Sequence, residues 1–193
     1  PMITQQQERL TATEFTRDFY AQLNTHPHHI PLSVTMTPKR VPGWNRELNI
    51  ETNKDVRERY LRKQDGRFEH RLSSMCCSHY RRTSHSHLTC FSIHTIEYKD
   101  KRGIRFVIPH THGLMGIHAD WWRSLKPYLN DSHQVKSDLI SKFGLKDSIN
   151  QIQLKPFNRY ESPFEWEKYM TKQIVMSQYS QEGSGSFTTG IYK

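Results

Sequence analysis

Two strand-like stretches joined by a short polar turn constrain this chain more than any other feature. Residues 87–98 and 103–117 are both rich in β-branched and aromatic side chains, and Lys99-Asp100-Lys101-Arg102-Gly103 lies between them. Such runs around a polar turn that ends in glycine predict an antiparallel hairpin. A two-stranded hairpin cannot bury its own apolar side, so further strands and a helical layer must cover it.

The rest of the chain offers both. Residues 11–23 predict a helix capped by Thr11 or Thr13, with Phe15, Phe19, Tyr20 and Leu23 on one side. His26-Pro27-His28-His29 breaks it. In residues 30–37, Leu32, Val34 and Met36 alternate with Ser33, Thr35 and Thr37, which predicts a strand ended by Pro38-Lys39-Arg40. Thr52 or Asn53 caps a helix through Val56, Tyr60 and Leu61, with Asp65-Gly66 as a point of interruption before Phe68, Leu72 and Met75. Its outer face is expected to carry Arg57, Arg59, Arg62 and Lys63.

Residues 120–129 and 132–143 read as short helices, the second closed by Gly144. Residues 149–157 alternate again and predict a strand with Ile152, Leu154 and Pro156 on one face. Ser162 then caps a helix through Trp166, Tyr169, Met170 and Ile174, with Pro163 at its first position and Glu165 at its third. The expected fold class is α+β: a central antiparallel sheet flanked by helices, of ferredoxin-like or RRM-like character. Residues 1–179 form the expected domain, and 180–193, with its Gly and Ser residues, reads as a flexible tail or linker.

Composition narrows the partners. The chain has 193 residues, enough for one well-buried domain. Its 28 Lys+Arg against 19 Asp+Glu leave a net charge of +9, which favours a polyanion, most commonly nucleic acid. No run approaches the ~18 apolar residues of a membrane span and no signal peptide opens the chain, so no membrane partner is expected. Cys76, Cys77 and Cys90 are odd in number and lack a C-x-x-C spacing, which points to a reducing, intracellular compartment.

The chemistry concentrates in Pro109-His110-Thr111-His112-Gly113. Strand side chains alternate, so His110 and His112 share a face and can offer two imidazoles to one divalent ion. In one hairpin register His94 falls opposite His110 and becomes the third ligand. Shifted by one residue, Ile93 falls there; Glu97 is then on the metal side but roughly 13 Å along the strand. His94 is therefore the expected ligand, with Glu97 and His118 as alternatives; His118 lies roughly 20 Å of strand from His112. Downstream, Tyr169 and Lys172 are three apart on one helical face, so a phenol can sit beside an ammonium group. Each element alone has an ordinary reading: strand histidines without metal, a core tyrosine, a solvated lysine.

The order Val34-Thr35-Met36-Thr37, then His110-Thr111-His112, then Tyr169-Met170-Thr171-Lys172 resembles the HUH superfamily of rolling-circle replication initiators, the Rep endonucleases of plasmids, phages and small single-stranded DNA viruses. The resemblance spans residues 30–175. It implies a sequence-specific, metal-dependent single-stranded DNA endonuclease and strand transferase, with Mn²⁺ or Mg²⁺ as cofactor. Tyr169 would be the nucleophile that forms a 5′-phosphotyrosine and frees a 3′-OH, assisted by Lys172. Gln173 stands where a second tyrosine would be, so the likeness is to the single-tyrosine branch. The implied partners are single-stranded DNA at a replication origin and the host polymerase and helicase. The implied location is the bacterial cytoplasm, or a host nucleus for a eukaryotic virus.

Candidate phosphate contacts are Lys39, Arg40, Arg81, Arg82, Lys101, Arg102 and Arg105, and Trp44, Trp121 and Trp122 are candidates for base stacking. Two alternative readings remain. One is a plasmid-mobilisation relaxase or transposase of the same superfamily. The other is a non-catalytic, basic, RRM-like nucleic-acid-binding module.

Overall fold

The computed structural model describes residues 5–42, 54–79, 81–99, 106–160, 166–168, 170 and 187–190. In chain order the elements are α1 (Gln5–Thr25), β1 (His29–Pro38), α2 (Lys54–Cys76), β2 (Phe91–Lys99), β3 (Phe106–His118), α3 (Ala119–Leu125), α4 (Ser137–Lys142), β4 (Ile149–Pro156) and β5 (Phe187–Gly190). The strands form one five-stranded sheet in the order β4-β1-β3-β2-β5. Every neighbouring pair is antiparallel, which makes the fold α+β as expected. From β1 to β4 the β-α-β-β-α-β connectivity is compatible with a ferredoxin-like layout.

Alternation along the strands gives the sheet two different faces. On one, Leu32, Val34 and Met36 of β1, Met115 and Ile117 of β3 and Ile152 and Leu154 of β4 pack beneath α2, α3 and α4. Phe68, Leu72, Trp121, Leu125, Leu139 and Ile140 are the helical side of that core. On the other, Phe91, Ile93 and Leu114 pack with Phe19 and Leu23 of α1 and with Met170.

Helix α2 is continuous through Asp65-Gly66, contrary to the expected interruption. A helical glycine costs about 1 kcal/mol relative to alanine, which burial of Leu61, Phe68 and Leu72 along one side outweighs. Arg57, expected on the outer face, is 2% exposed. Residues 87 and 88, expected to open a strand, belong to a 3₁₀ turn over Thr83–Leu88. Residues 120–129 hold a shorter helix than expected, followed by a 3₁₀ turn at Lys126–Tyr128. Residues 132–136 precede α4 in bridges, Leu129 with Val135 and Gln134 with Gln153. Gly144 follows α4 with φ +68°, the left-handed conformation that favours glycine there.

The segment expected to be a flexible tail contributes β5, whose Phe187–Gly190 pair with Thr95 to Ser92 on the outer edge of β2. The three cysteines are free. Among the described residues no helix is long and apolar enough to cross a membrane.

Candidate metal centre

The site follows from the register of the β2–β3 hairpin. Glu97 pairs with His110, Thr95 with His112 and His94 with Gly113. The ladder is irregular between its Glu97–His110 and Lys99–Phe106 pairs, where Pro109 has no amide hydrogen to give. The extra residues on β3 slide Glu97 along the sheet until it stands across from His110.

That slide changes the expected ligand set. Glu97, His110 and His112 offer one donor atom each, and the three atoms lie within 4.8 Å of one another. Glu97 Oε2 is 2.7 Å from His112 Nε2 and 3.6 Å from His110 Nε2. Both imidazoles are held from behind: His110 Nδ1 donates to the Ile108 carbonyl at 2.8 Å, and His112 Nδ1 meets Thr35 Oγ1 at 3.1 Å. A proton on Nδ1 leaves the Nε2 lone pair for an ion, the usual arrangement of a histidine ligand and its outer partner. Glu97 and His112 are buried and His110 is half-buried, so the cluster opens towards solvent on the His110 side.

The donor set fits a divalent ion. Ligand atoms ~2.0–2.2 Å from a common centre stand roughly 3–4 Å apart, and the 2.7 and 3.6 Å from Glu97 Oε2 to the two Nε2 atoms are close to that. Two imidazole nitrogens and one carboxylate suit transition ions such as Mn²⁺ and leave coordination positions open for another ligand. Among the described residues this is the one such group.

His94, the expected third ligand, lies on the other face of the sheet. Its Nε2 is 3.2 Å from Glu69 Oε1 on α2. Gly113 makes room for it: a Cβ there would stand 2.5 Å from His94 Nδ1. Burial pulls the His94 pKa down, but the neighbouring Asp65 and Glu69 carboxylates outweigh it and the net shift is upward. Asp65 is pushed up to about 6 by burial, while His94 and the Thr111 hydroxyl act in the opposite sense. Thr111, between the two metal-side histidines, donates to Asp65 Oδ1 at 3.0 Å and so fastens the strand to α2. His118 also falls outside the cluster, near Asp120 with its Nδ1 3.7 Å from Oδ2.

A tryptophan borders the metal face. The Trp166 ring stands edge-on to His112 with centroids 5.2 Å apart, and its Nε1 donates to the Gly113 carbonyl at 3.1 Å. Glu167 is buried and accepts a hydrogen bond from Tyr20 of α1. Next to the cluster on the same face, β1 and β4 present half-buried Ser33, Thr35, Thr37, Gln151 and Gln153.

The other candidates separate. Lys39 and Arg40 are exposed just beyond β1, at the metal end of the sheet. Arg81 and Arg82 are exposed beyond the C-terminus of α2, at the other end. The structure therefore does not gather them into one patch. Trp121 is a core residue at 2% exposure, not a stacking platform, and Trp122 packs half-buried against the same core. Tyr169, Lys172, Lys101, Arg102, Arg105 and Trp44 lie outside the described residues. Thr35 and Trp166 had no place in the expected metal site. The strand alternation that marks His110 and His112 also marks Thr35, once β1 is known to neighbour β3.

Comparison with family models, with curated proteins and with solved structures finds no match.

Proposed function

We propose that the protein is an HUH-type, metal-dependent endonuclease and strand transferase acting on single-stranded DNA at a replication origin, as an initiator of rolling-circle replication. The observation that carries this reading is the Glu97, His110 and His112 cluster on the central hairpin, with both Nδ1 atoms already engaged and both Nε2 atoms turned to one carboxylate oxygen. A second observation supports it. Trp166 and Met170, on either side of position 169, lie against the same sheet face as that cluster.

Glu97, His110 and His112 would hold the divalent ion, which when bound neutralises phosphate charge and stabilises the leaving oxygen. Tyr169 is the proposed nucleophile. Its phenol oxygen forms a bond to phosphorus while the P–O3′ bond breaks. The phenol loses one proton and the departing 3′ oxygen gains one, so a 5′-phosphotyrosine and a free 3′-OH result. Energy of the broken ester is kept in the new one, and the transfer is reversible. A phenol with pKa ≈ 10 is a weak nucleophile at neutral pH, and Lys172 is proposed to stabilise the developing phenolate charge.

Incubation of the full chain with a pooled single-stranded oligonucleotide library and Mn²⁺, followed by a denaturing gel, tests this. The expected product is a heat- and SDS-resistant shifted band that Tyr169→Phe abolishes, with the linked 5′ ends reporting the nick site. Binding without any covalent product would favour the non-catalytic RRM-like module. An adduct mapped to Tyr160 or Tyr179, with Tyr169→Phe still active, overturns the nucleophile assignment.

A further inference from the structure

We infer that the outer face of α2 is a second nucleic-acid surface, one that holds the backbone of a duplex on the opposite side of the sheet from the metal centre. It shares with the proposed function only the premise of a nucleic-acid partner.

Between residues 59 and 71, α2 sorts its charges by sign. Its two acids in this stretch, Asp65 and Glu69, are buried at 4% and 7% exposure and point into the sheet. They meet Thr111, Ser92 and His94 there. Arg59, Arg62, Lys63, His70 and Arg71 are exposed, and Arg67 is half-buried. At about 100° per residue these six fall within one half of the helix surface. A helix whose charges are merely solvated usually mixes both signs along its exposed side, because i,i+4 pairs then support it. Arg62 also pairs with Glu58, one residue before the stretch, at 3.7 Å. The five exposed basic side chains, Arg62 among them, are aligned over about 18 Å of helix.

Chemistry and shape choose the occupant. Aligned cations facing out, with both acids turned in, complement a polyanion. Duplex DNA carries one charge per ≈ 1.7 Å of axis and is stiff over this length, so it meets a convex helical ridge without being ordered first. Single strands are held by grooves with aromatic platforms. The one aromatic on the outer half, Tyr60, is instead packed towards Val41, Leu61 and Ile96. Further bases extend the ridge at both flanks. Arg81 Nη2 lies 3.4 Å from His70 Nδ1, and Arg67 reaches the Gly144 carbonyl at 3.1 Å, between exposed Lys142 and Lys146.

The position has a consequence. Phe68 and Leu72 of α2 pack on the face of the sheet that bears Thr111, whereas Glu97, His110 and His112 occupy the other. A helix diameter of about 10–12 Å and the sheet itself therefore separate the ridge from the cluster. DNA held on α2 must be a different segment from one entering the metal centre. The ridge would anchor the protein on duplex beside the strand presented to Glu97, His110 and His112.

The test compares the full chain with a variant carrying Arg59→Gln, Arg62→Gln, Lys63→Gln and Arg71→Gln. Binding to a mixed-sequence 25-bp duplex is measured from about 50 to 200 mM salt, the range over which phosphate contacts are read out. The slope of log K against log salt should fall in magnitude by about 3 to 4 in the variant. Affinity for a single-stranded 20-mer carrying the nick site recovered from the pooled library, and covalent capture of it, should stay within threefold. A control variant, Arg17→Gln, Arg123→Gln, Lys126→Gln and Lys136→Gln, has the same net charge and should change the duplex slope less than half as much. An unchanged duplex slope, an equal effect in the control, or an equal loss on the single strand each overturns the inference. Should the quadruple variant fail to fold by circular dichroism, the pair Arg59→Gln, Arg71→Gln replaces it, with an expected fall of about 2. Absence of covalent capture from the pooled library in the unmodified chain would sink the endonuclease reading and leave the duplex slopes readable.

Discussion

Glu97 Oε2 stands 2.7 Å from His112 Nε2, although the residue paired with Glu97 across the hairpin is His110. The carboxylate thus leans diagonally over the ladder and reaches both imidazoles from one oxygen. Two histidines alone would be a weak chelate; the leaning glutamate supplies the third donor and the only negative charge of the group.

Glu97→Gln keeps the size of the side chain and removes that charge. Mn²⁺ affinity measured by calorimetry should fall by more than about tenfold, the lower bound for loss of even an outer partner. His94→Ala should leave it within about threefold, a factor worth less than 1 kcal/mol. The reverse ranking would return the third-ligand role to His94.

Thr35→Val tests the support behind His112. Valine suits a strand and matches threonine in shape, so the sheet should be retained. The contact of 3.1 Å from Oγ1 to His112 Nδ1 is lost, and the imidazole is no longer held in one orientation. A ten- to hundredfold loss of Mn²⁺ affinity is expected, with thermal unfolding little changed. Equal affinity in Thr35→Val would show that Thr35 does not orient the ligand.

Two buried groups oppose each other in the acid range. His29 is lowered to about 4, chiefly by burial, with the Thr89 carbonyl accepting from it only in partial compensation. Its unfolded form takes up a proton first as pH falls, so its share of stability is present above about 6.5 and is lost towards 4. Asp65 is raised to about 6 against an ordinary 3.8, so its folded form binds the proton more tightly. Its share is present below about 3.8 and is lost as pH rises through 6. His29→Phe should therefore flatten the loss of stability on acidification from pH 7 to 4.5, and Asp65→Asn should steepen it. The His29 effect is at most about 3 kcal/mol. Denaturant melts across that range decide the matter, and identical profiles for all three proteins would refute both assignments.

Gly116→Ala should cost about 1–3 kcal/mol, because a Cβ there runs into the Phe91 ring. That ring cannot retreat easily: it is stacked on His29 with centroids 5.4 Å apart and packed on Phe19 at 5.5 Å. Adding Phe91→Leu should recover part of the loss. A double-mutant cycle reads the coupling, and strict additivity would show that the clash is not with Phe91.

Much of the sheet was visible in the sequence because its signals are local. The alternation in residues 30–37 and 149–157 survives in β1 and β4, which begin and end within one residue of expectation. The pairing of His110 with His112 on one face needed only strand periodicity. Helix α2 runs through Gly66 against its local propensity, because the burial that overrides propensity comes from the sheet beneath. Strand β5 carries only the short signal of Phe187-Thr188-Thr189 inside a Gly- and Ser-rich segment; Phe187–Gly190 form a strand because the edge of β2 offers unpaired backbone groups.

The third ligand marks where sequence reasoning ended. By itself the sequence determined that His110 and His112 lie together, that the stretches around Val56–Leu61 and Phe68–Met75 can be helical, and that the chain is strongly basic. Only the tertiary structure decided that Glu97 joins the histidines, that His94 turns instead to Glu69, and that α2 buries its acids and exposes its bases. The physical reason is the same in each case. Periodicity assigns a side chain to a face, but its place along that face depends on register. Register is decided by an irregularity around Pro109 and by the fit of His94 over Gly113, both of which arise between strands and not along one.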